Sequence, residues 1–282
     1  MSIPSTLRPR LTATLRGSRE RWNRLGEQTA FYITSLLHIR SAVVRYTEET
    51  LRIIAQLSLG TGVLALIGGA TVITAFLLGN VGIVVGFQGK ADLDKIGVFA
   101  LAGFFTAYIV PRVGVPLITA FGLIATVGAG STAQLGAMRV AEEIDALEVM
   151  GIDSISYLVS TRVLAGVVIA IPVGCLAESA GIVVSRFMFT TNFGQSSGGY
   201  EHYFRTFLSP VDTVYAIIQV GIEALIIMLI HTYYGFTASG GPAGVGEATG
   251  RAVRASLVVA TFATLFVVLI LFGRSGNFHL SG

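Results

Sequence analysis

The sequence contains few charged residues and only one cysteine. Of its 282 residues, 12% are charged and 53% are hydrophobic, whereas soluble domains average about 25% charged residues. This composition excludes an ordinary soluble protein and indicates an integral membrane protein. Because Cys175 is the single cysteine, no intrachain disulfide can form.

A nucleotide-binding loop is also missing. Lys90 follows Gly89, but Val84 stands where the upstream glycine of a phosphate-binding loop belongs, and Ala91 stands where Ser or Thr would bind magnesium. The four histidines are scattered along the chain, so no metal site is predicted. The chain is therefore expected to bind no cofactor and no nucleic acid. If ATP and Mg²⁺ drive its activity, a separate ATPase must hold them.

Long apolar stretches predict five membrane-spanning helices, since a span needs about 20 apolar residues. The apolar segment Ile96–Val110 is short, and Pro111 and Pro116 interrupt the apolar residues after it. We interpret it as an outer-face or re-entrant lead-in to the second span, with a separate sixth span as the alternative. The predicted spans are Leu57–Asn80, Val113–Met138, Ile155–Val184, Val214–Phe236 and Ala255–Phe272.

The N-terminal part is predicted to lie at the membrane surface. Phe31–Ile54 is amphipathic at helical spacing but carries too many charges to span. With the N-terminus inside, thirteen arginines fall in inner segments and five or six basic residues fall in outer ones, which agrees with the positive-inside rule. The sequence therefore predicts an all-α membrane protein. Its predicted parts are cytoplasmic and interfacial N-terminal helices (1–56), a transmembrane domain (57–274) and an extracytoplasmic tail (275–282).

A short acidic segment between the second and third spans is the most distinctive feature. Residues 142–151 read EEIDALEVMG, and buried charges in lipid would cost several kcal/mol each, so the segment should protrude into the cytoplasm. Val140, Ile144, Leu147 and Met150 share one helical stripe, and Gly151 is the predicted C-terminal stop of the helix. This pattern is typical of a helix that docks its apolar edge into a groove on another protein.

The segment from Gly128 to Arg162 resembles the MlaE/YrbE family of ABC-transporter permeases. The family hallmark, EQIDALEVMG followed by D-P-x-x-Y-L-V-x-P-R, is similar to residues 142–151 and to the run from Asp153 to Arg162. A second match is the loop at 240–249, GGPAGVGEAT, for which the residue pattern itself favours a cytoplasmic turn. Residues 200–208 and 275–282 look like the B-type YrbE subunits of actinobacterial, including mycobacterial, Mce systems.

The resemblance implies a fold, a set of partners and a role. It implies an interfacial helix, five spans and a cytoplasmic coupling helix in the inner membrane, paired with an A-type YrbE paralogue and bound to a cytoplasmic ABC ATPase. Extracytoplasmic Mce substrate-binding proteins would form a lipid conduit above it. By position, the ATPase-coupling residues would be Glu142, Glu143, Ile144, Asp145, Ala146, Leu147, Glu148 and Met150.

Three departures from the family pattern affect the candidate lipid path. The family's glutamate near the start of the second span is missing at Val113, its arginine corresponds to Thr126, and its fourth-span lysine corresponds to Gln219. Arg112, Gln219 and Glu223 remain as residues with either a lipid-path or a structural role. Intramembrane carboxylates such as Glu223 are functional candidates by default, with a structural hydrogen bond as the alternative.

The sequence therefore favours one of two functions. The first is a permease subunit of an ATP-driven Mce-type transporter that passes hydrophobic lipids, with fatty acid or sterol import favoured by the resemblance. The second is a membrane scaffold that anchors the assembly without forming the path.

The outer loop 186–210 is rich in aromatic residues, which fits an interfacial belt or a contact with the Mce proteins.

Overall fold

The computed structural model describes residue 23 and residues 25–59 and 70–272, and every regular element in these ranges is a helix. The predicted all-α membrane class is confirmed. The N-terminal helices are α1 (25–37), α2 (Ile39–Val44) and α3 (Thr47–Leu59). The remaining helices are α4 (Ala70–Lys95), α5 (Phe99–Val140), α6 (Glu143–Val149), α7 (Ile155–Asn192), α8 (Ser197–Phe207), α9 (Pro210–Phe236) and α10 (Gly241–Phe272).

Within the described ranges, α5, α7, α9 and α10 are long and apolar enough to cross a membrane. They contain the second to fifth predicted spans. The first predicted span falls partly on residues 60–69, outside the described ranges. Its described part does not end at Asn80 as predicted, because α4 continues to Lys95. The predicted extracytoplasmic tail, 275–282, also lies outside the described residues.

The predicted break before the second span is wrong. Helix α5 runs through Pro111 and Pro116 as one helix of 42 residues, or about 63 Å, so Ile96–Val110 is mostly its first part and neither a re-entrant segment nor a separate span. Proline removes an N–H and clashes with the preceding turn of an α-helix. A wider π-helical turn at Val110–Gly114 accommodates this change, and another lies at Ile124–Gly128.

Two other sequence-based boundaries need correction. The single interfacial helix predicted over Phe31–Ile54 is divided by turns at His38 and at Arg45–Tyr46 into α1, α2 and α3. The glycine-rich run after Gly240 is not a turn, because α10 already begins at Gly241. Gly240 itself has a φ of 91°, which suits the corner between α9 and α10.

Helix α7 lies between α4 and α9, and α10 packs against α9 and the C-terminal half of α5. The main core joins α5, α7 and α9 through buried side chains that include Val127, Val163 and Val220. Glycines permit close approaches: a Cβ on Gly122 would lie 2.2 Å from the Thr74 hydroxyl oxygen, and one on Gly136 would lie 2.9 Å from Val245. Both glycines of α5 therefore face their own chain.

Candidate coupling helix and buried polar groups

Helix α6 forms the corner between the long helices α5 and α7. At its N-terminal side, Glu142 has a φ of 59°, a left-handed conformation that costs a non-glycine residue about 1–2 kcal/mol. At its C-terminal side, Gly151 has a φ of 76°, and its N–H donates to the carbonyl of Glu148. The predicted stop at Gly151 is confirmed, whereas Glu142 is a corner residue and not part of the helix.

The inner side of α6 packs against its own bundle. Ile144 is 0% exposed and, together with Leu135 of α5 and Leu158 of α7, forms a small core beside which Leu147 is half-buried. The prediction that this apolar edge docks into a partner is therefore wrong for Ile144. Burial of Ile144 within the chain fixes the helix on the bundle.

The outer side of α6 combines acidic and apolar residues. Val149 is 89% exposed and Met150 is 66% exposed. Sequence reasoning did not assign Val149 to the site because it lies off the Val140–Ile144–Leu147 stripe. Once Ile144 points inward, five helical steps place Val149 about 140° away around the axis. The acidic and small residues exposed on the same segment are Glu142, Glu143, Asp145, Ala146 and Glu148.

Polar contacts attach α6 to the helices on either side. The Arg139 guanidinium on α5 donates to the Asp145 carboxylate at 2.6 Å, and the Ser154 hydroxyl before α7 donates to Glu148 at 2.7 Å. Solvent-exposed ion pairs contribute only about 0–1 kcal/mol each, so they orient α6 more than they stabilise it. A movement of α6 would be transmitted to both α5 and α7.

A buried polar cluster joins α9 to α10. The Glu223 Oε1 atom accepts hydrogen bonds from the Gln219 amide at 3.1 Å and from the Thr264 hydroxyl at 2.8 Å. Gln219 and Glu223 are both fully buried. The two candidate lipid-path residues of the fourth span therefore bind each other and α10 in this structure, which favours the structural alternative.

Two more polar pairs hold the N-terminal end of α9. The Arg112 guanidinium of α5 donates to Asp212 at 2.9 Å, and it lies 4.0 Å from the centre of the Tyr108 ring. The Thr213 hydroxyl donates to Glu178 of α7 at 3.0 Å. Arg112 thus has a structural partner, and sequence reasoning missed Asp212 because it precedes the predicted start of the span.

At the opposite end of the bundle from α6, the amphipathic helix α8 packs against the first part of α5. Tyr200 and Phe189 are fully buried in a cluster with Leu93 and Ala102. These two aromatic residues therefore form a local core and not an interfacial belt. The exposed side is polar, and a hydrogen bond from Arg205 lowers the pKa of Glu201.

These features define a multi-pass, all-α membrane protein with a short acidic helix protruding between two long spans. A family model described as Permease MlaE matches residues 59–270. The chain therefore belongs to the MlaE permease family.

Individual proteins are also similar to this chain. The protein named TRIGALACTOSYLDIACYLGLYCEROL 1, chloroplastic, of Arabidopsis thaliana is 30% identical over 70% of this chain and 56% of that protein. A probable ABC transporter permease protein of Synechocystis is 28% identical over 71% of this chain and 76% of its own length. One of Rickettsia bellii is 27% identical over 56% of this chain and 61% of its own length. The chain thus spans less than two thirds of the Arabidopsis and Rickettsia proteins.

Proposed function

We propose that this chain is the membrane-spanning subunit of an ATP-driven lipid transporter, and that α6 is the helix through which a separate cytoplasmic ATPase moves it. One observation carries the proposal: α6 is fixed by Ile144 to the ends of α5 and α7 but exposes Val149, Met150 and several carboxylates. The relatives named as ABC transporter permeases support it. ATP and Mg²⁺ would bind to the ATPase.

The two sides of α6 suit different tasks. The exposed side chains of Val149 and Met150, surrounded by carboxylates, suit a protein groove in which a few buried side chains supply most of the binding energy. The inward Ile144 and the bonds to Arg139 and Ser154 would then pass the movement to α5 and α7. This corresponds to shear or hinge motion of packed helices.

Substitution of Val149 by Asp tests this role. We expect Val149→Asp to insert and fold normally, because the side chain touches little of its own chain, but to lose most co-purifying ATPase and lipid-stimulated ATP hydrolysis. Ile96→Asp is the matched control, since Ile96 is also highly exposed but lies between α4 and α5, at the opposite end of α5. Equal ATPase recovery with wild-type protein and Val149→Asp would refute the role.

A second permease chain, of the A-type YrbE kind, would complete the transporter. Helix α5 exposes small residues at Ala125, Ala133 and Ala137, and small residues allow membrane helices to approach closely. This face supports a heterodimer interface along α5. The missing charges at Val113, Thr126 and Gln219 would be supplied by the paralogue or replaced by an apolar cavity wall.

The finer assignment is an actinobacterial Mce system in the inner membrane, with Mce proteins above the chain. The motifs at 142–162 and 200–208 support it. The polar face of α8, with His202 and Arg205 exposed, would then meet the extracytoplasmic conduit. Fatty acids or sterols are the favoured cargo, and import is the favoured direction of transport.

The scaffold alternative has one observation in its favour. Arg112 is ion-paired and Gln219 and Glu223 are fully buried, so these three candidates do not line an open path in the single chain. A photo-crosslinking lipid decides between the two roles. A lipid adduct on the small-residue face of α5, formed during ATP hydrolysis, supports the permease role. Transport without any lipid adduct on this chain supports the scaffold role.

A further inference from the structure

A small cavity lies where the interfacial helices meet the segment that leads from α6 into α7. Its volume is about 280 Å³, and its lining includes His38, Ser41, Arg45, Asp153 and Ser156. We infer that this cavity binds a phosphate group, and that the phosphate is the head group of a lipid in the leaflet next to α6. The site is separate from the proposed path along α5 and from the outer side of α6.

The donors that line the cavity are available. Arg45 has no carboxylate within ion-pair distance among the described residues. Ser156 is only 3% exposed, and its hydroxyl has no hydrogen-bond partner in the same part of the chain. A buried hydroxyl without a partner destabilises the folded chain. A ligand oxygen would remove that destabilisation, and the guanidinium plane of Arg45 suits two oxygens of one phosphate.

The acidic group on the cavity wall already has partners, so an anion would not meet an unpaired carboxylate there. Among the described lining residues the single carboxylate is Asp153. One of its oxygens accepts the Ile155 N–H at 3.1 Å, and the other lies 3.6 Å from the His38 ring. The nearby Glu49 pairs with Arg52 at 2.8 Å. Glu48 and Glu49 line a separate, larger hollow that shares Arg45 and Tyr46 with this cavity.

The position of the cavity selects a lipid as the source of the phosphate. Leu37, Val43 and Val44 on the flanking helices expose most of their apolar surface. Apolar side chains beside basic ones are typical of a helix lying in the membrane interface, where lipid head groups are found. A bound head group would link α2 to the segment after α6. The lipid composition of that leaflet would then affect the position of α6.

Binding measurements on the purified chain test the inference. The probes are short-chain phosphatidic acid, inorganic phosphate and short-chain diacylglycerol, each titrated against the full chain in detergent. We expect phosphatidic acid to bind, diacylglycerol not to bind, and Arg45→Gln combined with Ser156→Ala to raise the dissociation constant at least about tenfold. Arg40→Gln is the matched control, since Arg40 is exposed on α2, which ends just before Arg45, but does not line the cavity.

The titrations distinguish a lipid head group from free phosphate and from unspecific binding. Phosphatidic acid binding far tighter than inorganic phosphate supports the lipid source, whereas equal binding supports the phosphate site with free phosphate as the ligand. An unchanged dissociation constant in the Arg45→Gln/Ser156→Ala variant overturns the inference. So does an equal loss in Arg40→Gln, because the binding would then be unspecific attraction to basic charge.

Discussion

At the scale of single residues, burial decides which polar groups can meet a ligand. Glu223 is the intramembrane carboxylate that sequence reasoning singled out, yet it is fully buried and bonded to Thr264 across α9 and α10. Its role in this structure is to join two helices. Its carboxylate is not accessible to lipid in this structure.

Replacement of Thr264 tests this joining role. Thr264→Val removes a hydroxyl that donates to Glu223, and we expect it to lower stability by about 0.5–2 kcal/mol. Thr261→Val is the matched control on the same helix, because among the described residues the Thr261 hydroxyl bonds only within its own helix, to the carbonyl of Leu257. Thermal unfolding of the purified proteins compares the two, and equal melting temperatures for the two variants would contradict the joining role.

Residue-level assignments could be predicted from the sequence only in part. The acidic character of 142–148 and the stop at Gly151 followed from residue type. The inward direction of Ile144 did not, because a helical stripe shows which residues share a face but not whether that face meets the chain itself or a partner. Asp212 was missed because it precedes the predicted fourth span, and its pairing with Arg112, a hundred residues away in sequence, is set by the fold.

At the scale of helices, the type of each element was predictable and the boundaries were less so. Long apolar runs identified α5, α7, α9 and α10. The prolines at 111 and 116 suggested a break in α5, but the π-helical turn at Val110–Gly114 keeps the helix continuous. Proline content alone therefore does not show whether a helix ends or widens.

The contact between α5 and α8 gives a second prediction. A Cβ added to Gly103 would lie 2.2 Å from the Tyr200 carbonyl oxygen and 2.7 Å from the Phe204 nitrogen, which are backbone atoms that cannot move aside cheaply. We expect Gly103→Ala to displace α8 and destabilise this region by about 1–3 kcal/mol. Hydrogen exchange should show faster exchange in 197–207.

Gly130→Ala is the control for that substitution. Gly130 lies on the same long helix, and a Cβ there would meet no atom within 4 Å. We expect its exchange pattern to match that of the wild-type protein. Equal protection of 197–207 in wild type and Gly103→Ala would show that α8 does not pack as described.

At the scale of the whole molecule, the account depends on orientation. The excess of arginine in the segments on the α6 side predicts that this end is cytoplasmic, and α8 would then be outside. In a Cys175→Ser background, we expect Met150→Cys to react with a membrane-impermeant thiol reagent only after the membrane is opened. Ser197→Cys should react on intact cells, and the reverse pattern would invert the proposed topology.

The central claim is that an ATPase holds α6. The most direct measurement is a photo-crosslinking amino acid placed at Val149 in native membranes, followed by mass spectrometry of the adduct. We expect the principal adduct to be a cytoplasmic protein with a nucleotide-binding loop, and the yield to fall when the same group is placed at Ile96. An adduct with an extracytoplasmic protein, or none with an ATPase while Ile96 reacts equally, would contradict the claim.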